Sequence, residues 1–399
     1  MIPKNAFLRL NAFHVVNDGL YDSVPILLAF MVIAFGAGER EVGIVTSCAA
    51  ALATLLSLST VWVSRKLRMV HIFSLLSVLY AIGFLANTVA QDVLFSGVFF
   101  VLALCGHGIF HVMGFSYISA HTERHLLGKT MADFTVIGDV GRIPLVSFAG
   151  FAAAFSIWGI PGWRFVCFFY GAAALLMAIW LLSGARQFPD QAAGDKASAD
   201  ARPRRLPSFV LLRDKDVALT MLATSLVAFC SNRIFTFLPL LLFAKGIEPQ
   251  RIGAFALGFT LGSCLGRMVY GRLVDRFGPR PVFLVACLLM AILLLALVAV
   301  EQFILIITVS LVLGAVARGT APVVQTIVTE PESAKRDYSG IFSMNVFFRG
   351  SVDMLTPLLF GFVGAIFGIH WSYCIMAGAA LLATVPVLLL TRQQQPSSP

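Results

Sequence analysis

Charge is what this chain has least of. Only 12% of its residues are Asp, Glu, Lys or Arg, while 59% are hydrophobic. That is about half the charged share of an ordinary soluble domain, so a water-soluble globule is excluded and a polytopic membrane protein is expected. Cysteine is also sparse. The seven cysteines all lie in apolar stretches and none forms a C-x-x-C pair, which argues against a disulfide framework. No G-x-x-x-x-G-K-S/T loop is present, so ATP is not expected to drive the protein directly. No Ser/His/Asp or metal-hydrolase spacing is present either, and the chain is not expected to be an enzyme. The formal charge of +9 would suggest nucleic acid in a soluble chain. Here the basic residues fall between apolar segments and read as topology signals.

What the sequence does have is length of apolar run. Twelve stretches between residues 10 and 391 are long enough to cross a bilayer. The chain from Met1 to Leu10 runs directly into the first of them without a small-residue cleavage site, so that helix is expected to remain as an anchor. Twenty Lys and Arg residues fall on the side that carries both termini, against four on the other, namely Arg40, Arg164, Lys245 and Arg251. The positive-inside rule then places both termini in the cytoplasm, in a cytoplasmic (inner) membrane protein. Residues 185–215 are polar, rich in Ala, Asp, Pro and Arg, and aperiodic, which is the signature of a linker. The expected organisation is one six-helix bundle over 1–184 and another over 216–399. The fold class is all-α, with twelve transmembrane helices in two pseudo-symmetric bundles.

The halves repeat weakly. Val63-Ser64-Arg65-Lys66-Leu67-Arg68 follows the second span and Val274-Asp275-Arg276-Phe277-Gly278-Pro279-Arg280 follows the eighth. The fifth and eleventh spans each carry Gly, Arg, Asp and Pro within a short distance. Repeated halves point to a transporter. Gly271-Arg272-Leu273-Val274-Asp275-Arg276-Phe277-Gly278-Pro279-Arg280 resembles the G-x-L-x-D-R-x-G-R-R loop of the major facilitator superfamily. In the first-half copy Ser64 stands in place of the aspartate. His14-Val15-Val16-Asn17-Asp18 is similar to the H-x-x-N-D of the fosmidomycin-resistance drug-efflux group. Phe110-His111-Val112-Met113-Gly114 is similar to that group's F-H-P-E-G, with Val112 and Met113 replacing its proline and glutamate. The resemblance implies alternating access and export in exchange for protons. It assigns gating to Gly271, Asp275 and Arg276, with Arg267 beside them at the end of the eighth span.

Nine charged residues sit inside these apolar spans: Arg142, Arg233, Arg318, Arg349, Asp18, Asp22, Asp133, Asp139 and Asp353. Each costs roughly 2.5–3.5 kcal/mol near the bilayer centre, so together they mark an internal polar path. His14, Asp18 and Asp22 follow one another at four-residue intervals, on one helical stripe, and are the candidates for proton coupling. Asp139 and Arg142 are three apart and can pair, or Arg142 can face the cavity. Asp133 lies near a helix end. Arg349 and Asp353 are one turn apart and could neutralise each other, with Asp139 and Asp353 also candidates for gating. Arg233 and Arg318 have no local acid, and an idle guanidinium in lipid is too costly. Together with Arg142, Arg349, Asn17 and His111 they are expected to bind an anionic or zwitterionic organic solute.

The expected function is secondary active transport, proton-coupled efflux of such a solute. Uptake of an anionic nutrient or iron-chelate uses the same residues in the opposite direction. His107 and His111, four apart with Cys105 nearby, leave room for a transition-metal transporter. A non-transporting assembly factor would keep the fold alone. No cofactor or resident metal is expected. The partners are a small solute, protons and the bilayer, not nucleic acid, and the protein is expected to be a monomer.

Overall fold

The structure is a computed structural model that describes residues 2–123, 125–188, 209–331 and 338–391. Among them twelve helices are long and apolar enough to cross a membrane. They are α1 (Lys4–Ala34), α2 (Glu39–Ser57), α3 (Met69–Asn87), α4 (Val93–His121), α5 (Lys129–Ala152), α6 (Gly162–Ser183), α7 (Lys215–Ala244), α8 (Pro249–Phe277), α9 (Pro279–Ala299), α10 (Phe303–Ile327), α11 (Gly340–Phe367) and α12 (Ile369–Leu388). Helix is the expected state because hydrocarbon offers the backbone no hydrogen-bond partner. A two-stranded hairpin, Ser156–Ile157 with Ile160–Pro161, joins α5 to α6. Most of the linker, residues 189–208, lies outside the described residues. Successive helices cross in alternate directions, so the N-terminus and the α2–α3 and α8–α9 loops share one side. The opposite side is called the far side below.

α4, α7 and α10 are broken away from their ends, where the sequence shows an unbroken apolar run. α4 stops at Leu104 and resumes at His107, α7 stops at Ser231 and resumes at Ile234, and α10 stops at Gly319 and resumes at Ala321. Prolines lie inside α1 (Pro25), α5 (Pro144), α7 (Pro239) and α11 (Pro357). Irregular backbone at membrane depth is tolerated only against protein or a cavity, so these breaks locate the polar interior.

Close helix approach depends on glycine. A Cβ built on Gly262 of α8 would lie 1.8 Å from the Leu311 carbonyl oxygen of α10, and one on Gly314 of α10 would lie 2.2 Å from the Phe259 carbonyl oxygen of α8. Neither backbone can yield to a side chain. Gly262→Leu is therefore expected to lower the melting temperature of the purified protein by several degrees or to prevent its accumulation, since overpacking costs about 1–3 kcal/mol or more. A wild-type melting curve would mean that α8 and α10 do not pack this way.

The bundles meet on the far side. A Cβ on Gly43 (α2) would come within 2.9 Å of the Gly361 Cα (α11), and one on Gly150 (α5) within 2.6 Å of the Gly253 Cα (α8). The Leu358 N–H donates to Ser47 Oγ at 2.9 Å, and Phe30 meets Phe243 edge-on at 5.4 Å. All four far-side cations have local partners: Arg40 pairs with Glu41 and Arg251 with Glu248, each at 3.0 Å, and the other two bond to carbonyls. Arg164 donates to the Thr88 and Ala90 carbonyls at 2.6 and 2.7 Å, and Lys245 to those of Val298 and Val300 at 2.6 and 2.8 Å. Each satisfies the unpaired carbonyls that end a helix, which accounts for a positive charge on the poorer side.

Candidate functional site: a charged central cavity

A cavity of about 770 Å³ lies between the bundles. Its wall holds Asp18, Asp22, Asp139 and Asp353 together with Arg142, Arg233, Arg267, Arg318 and Arg349, and also His14, His107 and His111. Val24, Pro25 and Thr46 line its far end, while Phe115, Thr135 and Gln325 line it toward the N-terminal side.

One array of charge crosses the cavity from bundle to bundle. Arg318 on α10 grips both oxygens of Asp22 on α1, at 2.6 and 3.1 Å. Arg142 on α5 reaches the same carboxylate at 3.2 Å and Asp139, on its own helix, at 3.0 Å. Arg267 on α8 closes the row with 2.8 and 2.6 Å bonds to Asp139. The result is a ladder of three arginines and two aspartates, all but its Arg318 and Arg267 ends deeply buried. Charge-assisted bidentate pairs of this kind fix geometry as well as neutralising charge.

A second array belongs to the C-terminal bundle. Arg233 sits at the break in α7, bonded to the Asp353 carboxylate at 2.7 Å and to its carbonyl at 2.9 Å. Asn232 donates to the other Asp353 oxygen at 3.0 Å. The Arg349–Asp353 pair that the spacing allows is not formed. Four-residue spacing places both on one face, but the break in α7 brings Arg233 to Asp353 first. Arg349 instead donates to the Thr224 carbonyl at 3.1 Å, and among the described residues it has no acid partner.

The third group contains no arginine. Asp18 takes His14 Nε2 on one oxygen and His111 Nε2 on the other, both at 3.2 Å. The Asn17 amide donates to Asp18 at 2.9 Å and lies 3.0 Å from His107 Nδ1. His107 stacks on Tyr21 and His14 on Phe134, with centroids 3.8 and 4.1 Å apart. The first residue after the α4 break is His107, so the break itself turns this ring inward.

The candidates from sequence therefore separate. His14 and Asp18 share one cluster with His111. Asp22, though on the same stripe, is occupied by two guanidiniums. Asn17 is fully buried behind the wall. Arg267, assigned from sequence to the loop, is part of the cavity, because the α8 turn that carries it faces Asp139. Asp133 is exposed. Asp275 and Arg276 are exposed at the end of α8, and a Cβ on Gly271 would meet nothing within 4 Å, so that glycine makes no close helix contact in this conformation. The loop charge that does engage is Arg280, 2.6 Å from Glu330. The trio of His107, His111 and Cys105 does not converge, since the Cys105 thiol is turned to the Leu102 carbonyl. His14, Asp18 and His111 do bring one atom each within 4.8 Å of one another, but the carboxylate already gives a separate oxygen to each imidazole.

Comparison with known proteins fits this architecture. Residues 220–399 match the sequence model of the Major Facilitator Superfamily. The multidrug resistance protein MdtG of Salmonella arizonae is 29% identical over 115 residues, which is 29% of this chain and only 28% of the relative's length. Among solved structures, a bacterial homolog of the human lysosomal transporter Spinster, inward-facing and occupied, superposes with a TM-score of 0.74 over 96% of both chains at 15% identity. The inward-open xylose transporter XylE from E. coli gives 0.73 over 98% of both at 14%. The nucleoside transporter NupG gives 0.74 over 97% of this chain and 99% of its own at 12%. The chain thus shares the fold of these transporters over nearly its whole length, and its residues 220–399 carry the sequence match to the Major Facilitator Superfamily.

Proposed function

We propose that this protein is a secondary active transporter that moves a small organic anion by alternating access, coupled to protons. The observation that carries this reading is Arg349, a cavity guanidinium without an acid partner among the described residues, beside a second array that already uses Arg233. An uncompensated cation in such a place is costly, and a carboxylate, phosphonate or sulfonate would satisfy its planar donors. Arg349, Arg233, Arg318 and Arg142 are assigned to the solute, with Arg318 and Arg142 also tying the bundles together. Asp18, with His14 and His111, is assigned to the proton, and Asn17 to holding it in place. Asp139 and Arg267 form a cross-bundle tie that moves with the cycle, and the loop of Gly271, Asp275 and Arg276 is assigned to a latch made in the opposite conformation. Both termini are assigned to the cytoplasm of a cytoplasmic-membrane protein, and the bundles to residues 1–184 and 216–399.

Asp18→Asn in proteoliposomes tests the coupling. Exchange of labelled for unlabelled solute is expected to persist, while accumulation driven by a pH gradient is lost. Gradient-driven accumulation equal to wild type would remove Asp18 from the proton path. Export is the direction favoured by the similarity to MdtG, a multidrug resistance protein. The charge of the cavity favours the opposite direction.

A further inference from the structure

We infer that the anionic solute and the proton occupy the cavity together, so that the coupled movement is co-transport and not exchange. This rests on the anion reading above. The wall holds five arginines against four aspartates. With its histidines neutral it carries one net positive charge, and two once a proton is added.

Among the described residues of the wall, one carboxylate is placed to take that proton. Asp22 is held by Arg142 and Arg318, Asp139 by Arg142 and Arg267, and Asp353 by Arg233. A proton on any of these carboxylates would strand the guanidinium it holds. Asp18 grips none. It faces His14 from its own helix, His111 from α4, and His107 through the Asn17 amide. From α5 the uncharged Phe134 ring stacks on His14, while that helix's Arg142 and Asp139 are engaged with Asp22, Arg267 and each other. From α3 the Tyr80 hydroxyl, at 3.3 Å, donates to the Asn17 carbonyl. The nearest charge on α1 is Asp22, one turn on and already paired.

A proton on this cluster therefore adds a full positive charge to the wall that receives the solute. An anion and a proton in one cavity attract each other, and by linkage each tightens the other's binding by the same factor. Exchange requires the reverse, that proton and solute expel one another, which is the behaviour of a cationic solute. Charges on the order of 10 Å apart at an effective dielectric of about 20 are coupled by roughly tenfold in affinity.

The test uses the purified full-length protein with benzoate, isethionate and ethane-1,2-disulfonate, whose own charges are constant between about pH 6 and about pH 8. At least one anion is expected to bind roughly tenfold more tightly at the lower pH, and its binding in weak buffer is expected to remove protons from solution. Asp18→Asn should bind equally at both values, as tightly as wild type at the lower one, without proton uptake. Tighter binding at the higher pH, proton release, or equal affinity with no proton change in wild type would overturn co-transport and leave the anion reading standing. Binding of none of the three at either pH would remove the anion reading itself, and this inference with it.

Discussion

Asp22→Asn is expected to destabilise the protein by about 3–5 kcal/mol and to abolish solute flux, the penalty usual when one partner of a buried ion pair is removed. Asp22 is 6% exposed and is the point at which two bundles share one carboxylate, with Arg318 from α10 on both oxygens and Arg142 from α5 on one. An asparagine amide would leave two guanidiniums facing each other across a neutral group, with only Asp139 to hold Arg142. Because the damage is the stranded positive charge, Arg318→Gln added to Asp22→Asn should recover part of the lost stability without recovering flux. Thermal melting in detergent and flux in proteoliposomes, read on the two single variants and the double, provide the check. A double variant less stable than Asp22→Asn by the full cost of Arg318→Gln alone would mean that the two residues act independently and that the ladder is not a unit.

The parts of this site that were legible in the sequence are those encoded locally. Four-residue spacing places His14 and Asp18 on one stripe, and three-residue spacing pairs Asp139 with Arg142; both contacts form. The twelve apolar runs carry the fold in the same way. What the sequence could not express is which bundle supplies the partner. Arg318 finds Asp22 across 296 positions and Arg267 finds Asp139 across 128, and no periodicity records a pairing between helices that far apart. The helix breaks were hidden for a related reason. Ser231-Asn232-Arg233 and Cys105-Gly106-His107 sit in apolar runs with no proline at the break, and it is the polar interior, not local propensity, that lets the backbone open there. The α7 break then overrode the local rule for Arg349 and Asp353. A signal was available in hindsight: each of these breaks carries a side chain of the cavity wall, Arg233 in one and His107 in the other.

Gly43→Leu should lose most of its transport for a reason unrelated to charge. The far side is closed where α2 crosses α11, and a Cβ at position 43 would lie 2.5 Å from the Pro357 carbonyl oxygen and 2.9 Å from the Gly361 Cα. Both are backbone atoms, so the conflict is relieved only by separating the bundles there. A penalty of about 1–3 kcal/mol on the far-closed state alone shifts its balance with the far-open state by roughly 5- to 150-fold. The shift is readable without knowing the solute. Thr46, which lines the far end of the cavity, can be replaced (Thr46→Cys) in a cysteine-free background and labelled with a membrane-impermeant maleimide from the far side. Labelling should rise from wild type through Gly43→Ala to Gly43→Leu. Gly271→Leu, at a position where a side chain meets nothing within 4 Å, should not raise far-side labelling, because it adds no conflict to the conformation described here. If Gly43→Leu labels no faster than wild type, the α2–α11 crossing is not the seal. If Gly271→Leu raises labelling as Gly43→Leu does, closure of the far side also depends on the α8–α9 loop, and the two ends of the cycle are less independent than the packing of this conformation implies.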